Sequence, residues 1–123
     1  MTKSEATLAV LVKAREMLTR EGAWTKGRLA RDADGAPCLA DSPKATCWCS
    51  IGAIQAASYS LENSLGFAYG DALRELEGAA ENLCIPMWND HPRRGVRSVL
   101  RTFDKAINVV RAKVDEEKKN DER

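Results

Sequence analysis

The chain has 123 residues, of which 44% are hydrophobic and 30% charged, and its formal net charge is +1. This length suits one domain, and the composition is too apolar for a wholly disordered chain. No apolar run reaches the roughly 20 residues of a membrane-spanning helix, and the first residues lack the apolar stretch of a signal peptide. A near-neutral balance is not typical of a general nucleic-acid-coating protein. The sequence therefore predicts a cytoplasmic protein without membrane contact.

The first predicted element is a helix over residues 4–21, where apolar residues recur at steps of three and four. The next segment, residues 24–41, has no helical period. It contains Asp34-Gly35, a dipeptide that is typical of tight turns. The stretches on either side of this turn are expected either to pair as a short β-hairpin or to form a loop.

The segment 45–61 contains no charged residue and is rich in small residues. A helix that is apolar on all sides is typical of the centre of a bundle. Ser42 followed by Pro43 is a typical helix start, with a hydroxyl cap and a proline in the first turn. We therefore expect a central helix that the other helices surround on every side.

Two further helices are predicted, over residues 67–83 and from about residue 92 into the 110s, with an irregular connection at 85–92. Residues 115–123 contain no apolar side chain, and we expect them to fray into solvent. The predicted fold is mainly α: a compact single domain over residues 1–114 with about four helices. A loop or short β-hairpin separates helices 1 and 2.

The four cysteines are expected to be reduced thiols, since the chain carries no export signal. They are Cys38, Cys47, Cys49 and Cys84, and with His91 they include the ligand types of a zinc site. The only close pair is Cys47-x-Cys49, whose side chains would point about 200° apart on a helix. Small, buried, apolar-like side chains explain the cysteines better. We predict neither a metal nor a cofactor.

Short motifs are the most distinctive part of the sequence. They are Trp24-x-x-Gly27-x-x-Ala30-Arg31-Asp32, Trp48-Cys49-x-x-Gly52-Ala53, Ala72-Leu73, Ile85-Pro86-x-Trp88-Asn89-Asp90 and Phe103-Asp104-x-Ala106-Ile107. Together they resemble an uncharacterised family of small bacterial and bacteriophage proteins, a domain of unknown function. The resemblance implies a phage, prophage or other mobile element as the setting and a cytosolic site of action. It implies no catalytic residue and no cofactor.

The motif residues suggest one candidate site. Trp24, Trp48 and Trp88 are large aromatic residues, which are usually buried in the core. This favours a hydrophobic plug at one end of the bundle over a shallow pocket. Within such a plug, Asn89, Asp90, Asp32 or loop carbonyls could accept the indole N–H groups. Asp90 could also cap the last helix, and Arg31 and Asp32 could form an ion pair. The alternative is a small hydrolase with a Cys-His-Asp arrangement and Cys49 as its nucleophile. Its pocket would consist of Trp24, Trp48, Cys49, Trp88, Asn89, Asp90 and His91.

A basic stripe is the strongest functional signal in the sequence. Its members recur at spacings of three, four and four and are expected on the face of the last helix away from the core: Arg94, Arg97, Arg101 and Lys105. Such a stripe can bind an acidic protein or follow a phosphate backbone, although a solvated helix face is the usual reason for the pattern. No aromatic residue accompanies it for base stacking, which weakens the case for nucleic acid.

The sequence therefore favours a non-enzymatic binding or regulatory protein of a phage or mobile element. Its partner is expected to be a host or phage protein or nucleoprotein, and inhibition of a host defence machine is one form that the function could take. A small cysteine-dependent or other hydrolase is the alternative.

Overall fold

The structure, a computed structural model, describes residues 1–61 and 68–121. Its elements in chain order are α1 (Lys3–Thr19), β1 (Ala30–Arg31), β2 (Pro37–Cys38), β3 (Cys47–Trp48), α2 (Ser50–Ser60), α3 (Ala68–Ala80), α4 (Ile85–Asp90) and α5 (Val96–Asp121). This arrangement confirms the mainly α class with a small β insert between the first two helices. Among the described helices, none is both long and apolar enough to cross a membrane.

Helix α1 lies at the centre of the packing, in contact with α2, α3 and α5. Its start is fixed by a capping box, in which Thr2 and Glu5 exchange side-chain-to-backbone hydrogen bonds. It runs antiparallel to α5, as two contacts show. Ser4 Oγ donates to Glu117 Oε1 at 2.7 Å, and Arg15 Nη2 donates to Asp104 Oδ2 at 3.1 Å. The contact between α1 and α5 is the most extensive in the molecule.

Helix α2 is shorter than predicted and is not surrounded on every side. It begins at Ser50 because residues 47–48 pair with β1 as a strand. Ser42 lies in a turn, where its hydroxyl accepts the backbone N–H of Lys44, and does not start a helix. Tyr59 of α2 is 63% exposed. The prediction of one central helix over 45–61 is therefore wrong: the segment divides into strand β3 and helix α2, and α2 is mostly buried against α1, α3 and α4 but exposed at its end.

The insert forms a three-stranded antiparallel sheet in the order β2-β1-β3. Ala30 of β1 lies opposite both Cys38 and Trp48. The turn between β1 and β2 uses Gly35 with φ of +84°, a left-handed conformation that glycine adopts without strain. Of the two alternatives for this segment, the hairpin is the correct one.

The charged side chains of the hairpin bond to backbone rather than to each other. The Asp32 carboxylate accepts the N–H groups of Asp34 and Ala36. The Arg31 guanidinium donates to the carbonyls of Lys26 and Gly35 and to Thr25 Oγ1. The expected ion pair between Arg31 and Asp32 does not form, because the turn already uses both groups.

The segment that joins α3 to α5 also differs from prediction. Helix α3 ends at Ala80 rather than at 83, since Glu81 has a left-handed φ of 54°. Pro86 then lies in the first turn of α4, a six-residue helix where an irregular connection was expected. Asp90 is the last residue of α4, so the expectation that it caps the last helix is wrong.

Helix α5 buries the predicted apolar face, including Val99, Phe103 and Val110. It continues to Asp121, so the expected fraying is corrected for residues 115–121. The buried side chain of Val114 and the hydrogen bond from Ser4 to Glu117 tie this end to α1. Residues 122–123, like the predicted start of the third helix at 67, lie outside the described residues.

Candidate functional site

The tryptophan motifs converge where the β insert meets α2 and α4, a region we call the tryptophan junction (residues 24–27, 48–50 and 88–91). Trp24 and Trp48 form an isolated parallel bridge through their backbones. Trp48 and Trp88 are buried. The Trp48 indole N–H donates to the Ala40 carbonyl at 2.9 Å. The structure thus assembles the predicted plug from three segments that are distant in sequence.

Asn89 is the centre of the junction and is fully buried. Its Oδ1 accepts the Trp24 indole N–H at 2.8 Å, the Ser50 N–H at 3.0 Å and the Ser50 hydroxyl at 2.7 Å. Its Nδ2 donates to the Thr25 carbonyl at 3.1 Å and to Asp90 Oδ1 at 3.0 Å. An amide side chain has two donors and one acceptor oxygen. Asn89 therefore has no hydrogen-bonding capacity left for a ligand.

The loop at 25–27 is fastened to the end of α4. Asp90 Oδ1 accepts the Gly27 N–H at 3.0 Å, and Lys26 Nζ donates to the His91 carbonyl at 2.8 Å. The Lys26 ammonium also lies 5.4 Å from the centre of the Trp24 ring, within the range of a cation–π contact. These contacts tie the loop to α4, while the Asp90 and His91 side chains remain exposed.

Cys49 is the N-cap of α2 rather than an activated nucleophile. Its Sγ accepts the Gly52 N–H at 3.3 Å, and the side chain is buried. Burial raises the pKa of the Cys49 thiol, because the low-dielectric surroundings disfavour the thiolate. The exposed His91 accepts the Arg93 N–H at its Nδ1, and Cys49 and His91 share no hydrogen bond within the described chain. This geometry does not favour the Cys-His-Asp alternative.

The accessibility of the thiols gives a direct test. In the native protein, the exposed Cys84 is expected to react with a small disulfide reagent at about the rate of a model thiol. Cys49 is expected to react more slowly by about tenfold or more, because its modification requires an opening of the fold. Mass spectrometry of peptides after timed quenching measures both rates, and Cys84→Ser isolates the slow sites. Faster labelling at Cys49 than at Cys84 would contradict the capping role.

Metal-binding geometry is not found in the part of the chain that the structure describes: no three His, Cys, Asp or Glu side chains there are grouped to hold an ion. Cys38 and Cys47 lie on β2 and β3, on opposite sides of β1. Cys84 is exposed at the corner between α3 and α4.

The basic stripe divides into two parts. Arg97, Arg101 and Lys105 are exposed on α5, and we call these three residues the basic face. Arg94 does not belong to it, because α5 begins only at Val96. The Arg94 guanidinium instead stacks 4.5 Å from the Trp88 ring centre and donates to the Trp88 carbonyl at 3.0 Å. Its expected place on the outer face is therefore wrong.

Acidic residues near the basic face neutralise it only weakly. Lys105 Nζ lies 3.8 Å from Glu81 Oε1, and both side chains are more than half exposed. Exposed pairs of this kind contribute little. Asp104 forms an ion pair with Arg15 of α1. Arg97 and Arg101 form no ion pair within residues 1–61 and 68–121.

Two strongly exposed apolar residues were not predicted from the sequence. Leu83 is 87% exposed and Met87 is 73% exposed, and both lie at the corner between α3 and α4. Helical spacing predicts Leu83 in the inner stripe of a longer third helix. The missed signal for the end of the helix is Asn82, whose side-chain oxygen accepts the Cys84 N–H at 2.8 Å.

Two shallow grooves are further candidates. One has a volume of about 390 Å³ and is lined by residues that include Met17, Trp48 and Tyr59. The other, of about 330 Å³, is lined by charged residues that include Lys3 and Asp71.

Comparison with known families gives a match over most of the chain. Residues 2–109 match the family model of DUF6197, a family of unknown function. The chain belongs to DUF6197. The match extends from the N-cap of α1 into the second half of α5, and it confirms that the chain is an uncharacterised domain of unknown function. No curated protein and no solved structure matches this DUF6197 chain.

Proposed function

We propose that the chain is a non-enzymatic binding protein that captures an acidic protein partner through the basic face. The observation that carries the proposal is the exposure of Arg97 and Arg101 on one helix face, with no acidic residue paired to either within the described residues. Surface cations arranged in this way steer an acidic partner and fix its register.

A protein partner fits this face better than a nucleic acid. Residues 97–105 span only about 12 Å along the helix at 1.5 Å per residue, which offers few phosphate contacts. Further along α5 the surface becomes acidic at Asp115 and Glu116. The chain as a whole carries only +1, whereas proteins that bind nucleic acid by charge are usually strongly basic.

The motif resemblance supports a setting in a phage, prophage or other mobile element, with a cytosolic host protein as the target. A small protein of this kind works by covering a functional surface of a larger machine. Inhibition of a host defence system is the form that we propose. The tryptophan junction supports this placement of function on α5, since the hydrogen bonds within it leave its buried Asn89 side chain no capacity for a ligand.

Charge reversal at the basic face tests the proposal. The double variant Arg97→Glu/Arg101→Glu is expected to lose capture of the partner from a bacterial lysate. Its unfolding free energy is expected to stay within about 0.5 kcal/mol of wild type, because both side chains are exposed. Capture is quantified by mass spectrometry at low and high salt, before and after nuclease treatment.

Lys119→Glu is the matched control, since it reverses a charge on the same exposed side of α5 about 27 Å from Arg101. It should leave capture intact. The expected captured species is an acidic protein that high salt releases and nuclease does not. Equal capture by the double variant would refute the basic face as the binding site, and nuclease-sensitive capture would point to nucleic acid instead.

A further inference from the structure

The groove of about 330 Å³ lies where α1, α3 and α5 meet, and each helix lines it with residues of one face. Helix α1 contributes Lys3, Ser4 and Thr7, and α5 contributes Val110 and Lys113. Spacings of three and four residues place side chains on the same face of a helix. The residues from α3 have the same spacings: Asp71, Arg74 and Glu75. We call this site the three-helix groove.

Thr7 places an unused hydroxyl in this groove. Its side chain is only 4% exposed, and its hydroxyl forms no hydrogen bond within the described chain, whereas those of Thr2, Ser4 and Thr19 each do. Among the described residues, the buried polar side-chain atom that lacks both a partner and contact with solvent is Glu117 Oε2. The Thr7 hydroxyl is therefore open to the groove that Thr7 lines. Buried polar groups normally have a partner, and this one indicates a ligand.

The charges around the groove leave one cation unpaired. Arg74 Nη2 donates to Asp71 Oδ1 at 2.8 Å, and Lys113 Nζ donates to Glu75 Oε2. Lys3 forms no ion pair in the part of the chain that the structure describes. Three cations thus line the groove with two carboxylates, each of which already has a cationic partner. The remaining charge of the lining is positive.

Hydrogen-bond donors also remain unused. Arg74 and Lys113 each use a single N–H in their ion pairs, out of five and three respectively. The two unpartnered groups on α1 add further donors. The Ser4 hydroxyl adds none, because it donates to the Glu117 carboxylate. A ligand of this groove therefore carries negative charge and several acceptor oxygens. A phosphate group, with three strong acceptor oxygens, has this chemistry.

We propose that the three-helix groove binds the phosphate group of a small molecule, at a site separate from the basic face and independent of the function proposed for it. The Thr7 hydroxyl donates to a phosphate oxygen at the floor of the groove. Lys3, Arg74 and Lys113 offset the phosphate charge at the exposed rim. Hydrogen bonds to a charged acceptor are stronger than those between neutral groups, so the buried donor contributes most to the affinity.

Titration of the full chain with sodium phosphate tests this inference, with amide chemical shifts followed by NMR at constant ionic strength. Saturable shifts are expected at residues 3–7 and at the groove residues of α3 and α5. Thr7→Val removes the hydroxyl and keeps the shape, and should weaken phosphate binding by about tenfold. It should not lower the denaturation midpoint, because the hydroxyl has no partner in the described chain to lose. Lys3→Met should weaken binding by about threefold.

Two control variants mark the limits of the site. Lys44→Met removes an exposed lysine that does not line the groove. Arg97→Glu/Arg101→Glu alters the basic face, which ends more than a Debye length before Val110 along α5 at Arg101, about 14 Å away. Each should change phosphate affinity by less than about twofold, so this site and the proposed function are tested separately.

A parallel titration with ribose 5-phosphate identifies the source of the phosphate group. Tighter binding than that of inorganic phosphate would support the site with a phosphate monoester as its ligand, and equal binding would support it with free phosphate. Shifts that do not saturate, or that Thr7→Val leaves unchanged, would refute the site. A lower denaturation midpoint for Thr7→Val would show that the hydroxyl is bonded inside the fold, which would also overturn the inference.

Discussion

Replacing Gly52 by alanine is expected to destabilise the protein by about 3 kcal/mol, because there is no space for a methyl group. A Cβ at this position would lie 1.9 Å from the Leu29 carbonyl oxygen and 2.8 Å from the Leu29 carbonyl carbon. Both atoms belong to backbone that the Cys49 N–H also holds, through a bond to the Leu29 oxygen. The strand end must therefore move off α2. Chemical denaturation followed by tryptophan fluorescence measures the loss.

Gly78→Ala provides the matched control. Gly78 also lies in a helix, but a Cβ added there would have nothing within 4 Å, so alanine should stabilise α3 by up to about 1 kcal/mol. An equal, small effect at both glycines would contradict the close approach of the β insert to α2.

Replacing Asn89 by leucine is expected to cost about 4 kcal/mol, the second large effect. The Trp24 indole, the Ser50 N–H and the Thr25 carbonyl would all lose their partner inside the fold. Each orphaned buried group costs about 1–3 kcal/mol, and the losses are not fully additive. Asn108→Leu, on the exposed side of α5, should change stability by less than about 0.5 kcal/mol.

Asn89→Asp adds a pH signature to this expectation. The new carboxylate would be buried beside that of Asp90, so the folded state would bind a proton more tightly than the unfolded state. Stability relative to wild type should therefore fall as pH rises, with a smaller deficit at pH 5 than at pH 8. Parallel denaturation of both proteins at each pH gives the difference. A deficit that does not depend on pH would contradict the burial of this group.

Local patterns predicted the elements that depend on near neighbours in sequence. The apolar spacing in α1 and α5 and the Asp34-Gly35 turn are signals of this kind, and the structure confirms them. The start of α2 could not be predicted in this way, because residues 47–48 form a strand only through pairing with β1. An uncharged sequence is equally compatible with a buried helix and a buried strand.

The site residues, like the start of α2, depend on contacts between segments that are distant in sequence. The sequence predicted that Asn89 could satisfy a tryptophan indole, but its partner Trp24 lies 65 residues away, and no local pattern shows five bonds on one side chain. The position of Arg94 was wrong because its stacking on Trp88 depends on where α4 ends. The inward position predicted for Leu83 was wrong because a single left-handed residue, Glu81, ends the helix before Leu83.

The closed tryptophan junction is the central structural claim of this account, and the proposal of binding on the surface of α5 depends on it. Hydrogen exchange of the Trp24 indole N–H and the Ser50 amide, followed by NMR in the native protein, tests this closure most directly. We predict that both exchange only through global unfolding, with an exchange free energy equal to that from denaturation. Exchange of either group through a local opening of lower free energy would show a junction that opens, and would contradict the closed junction.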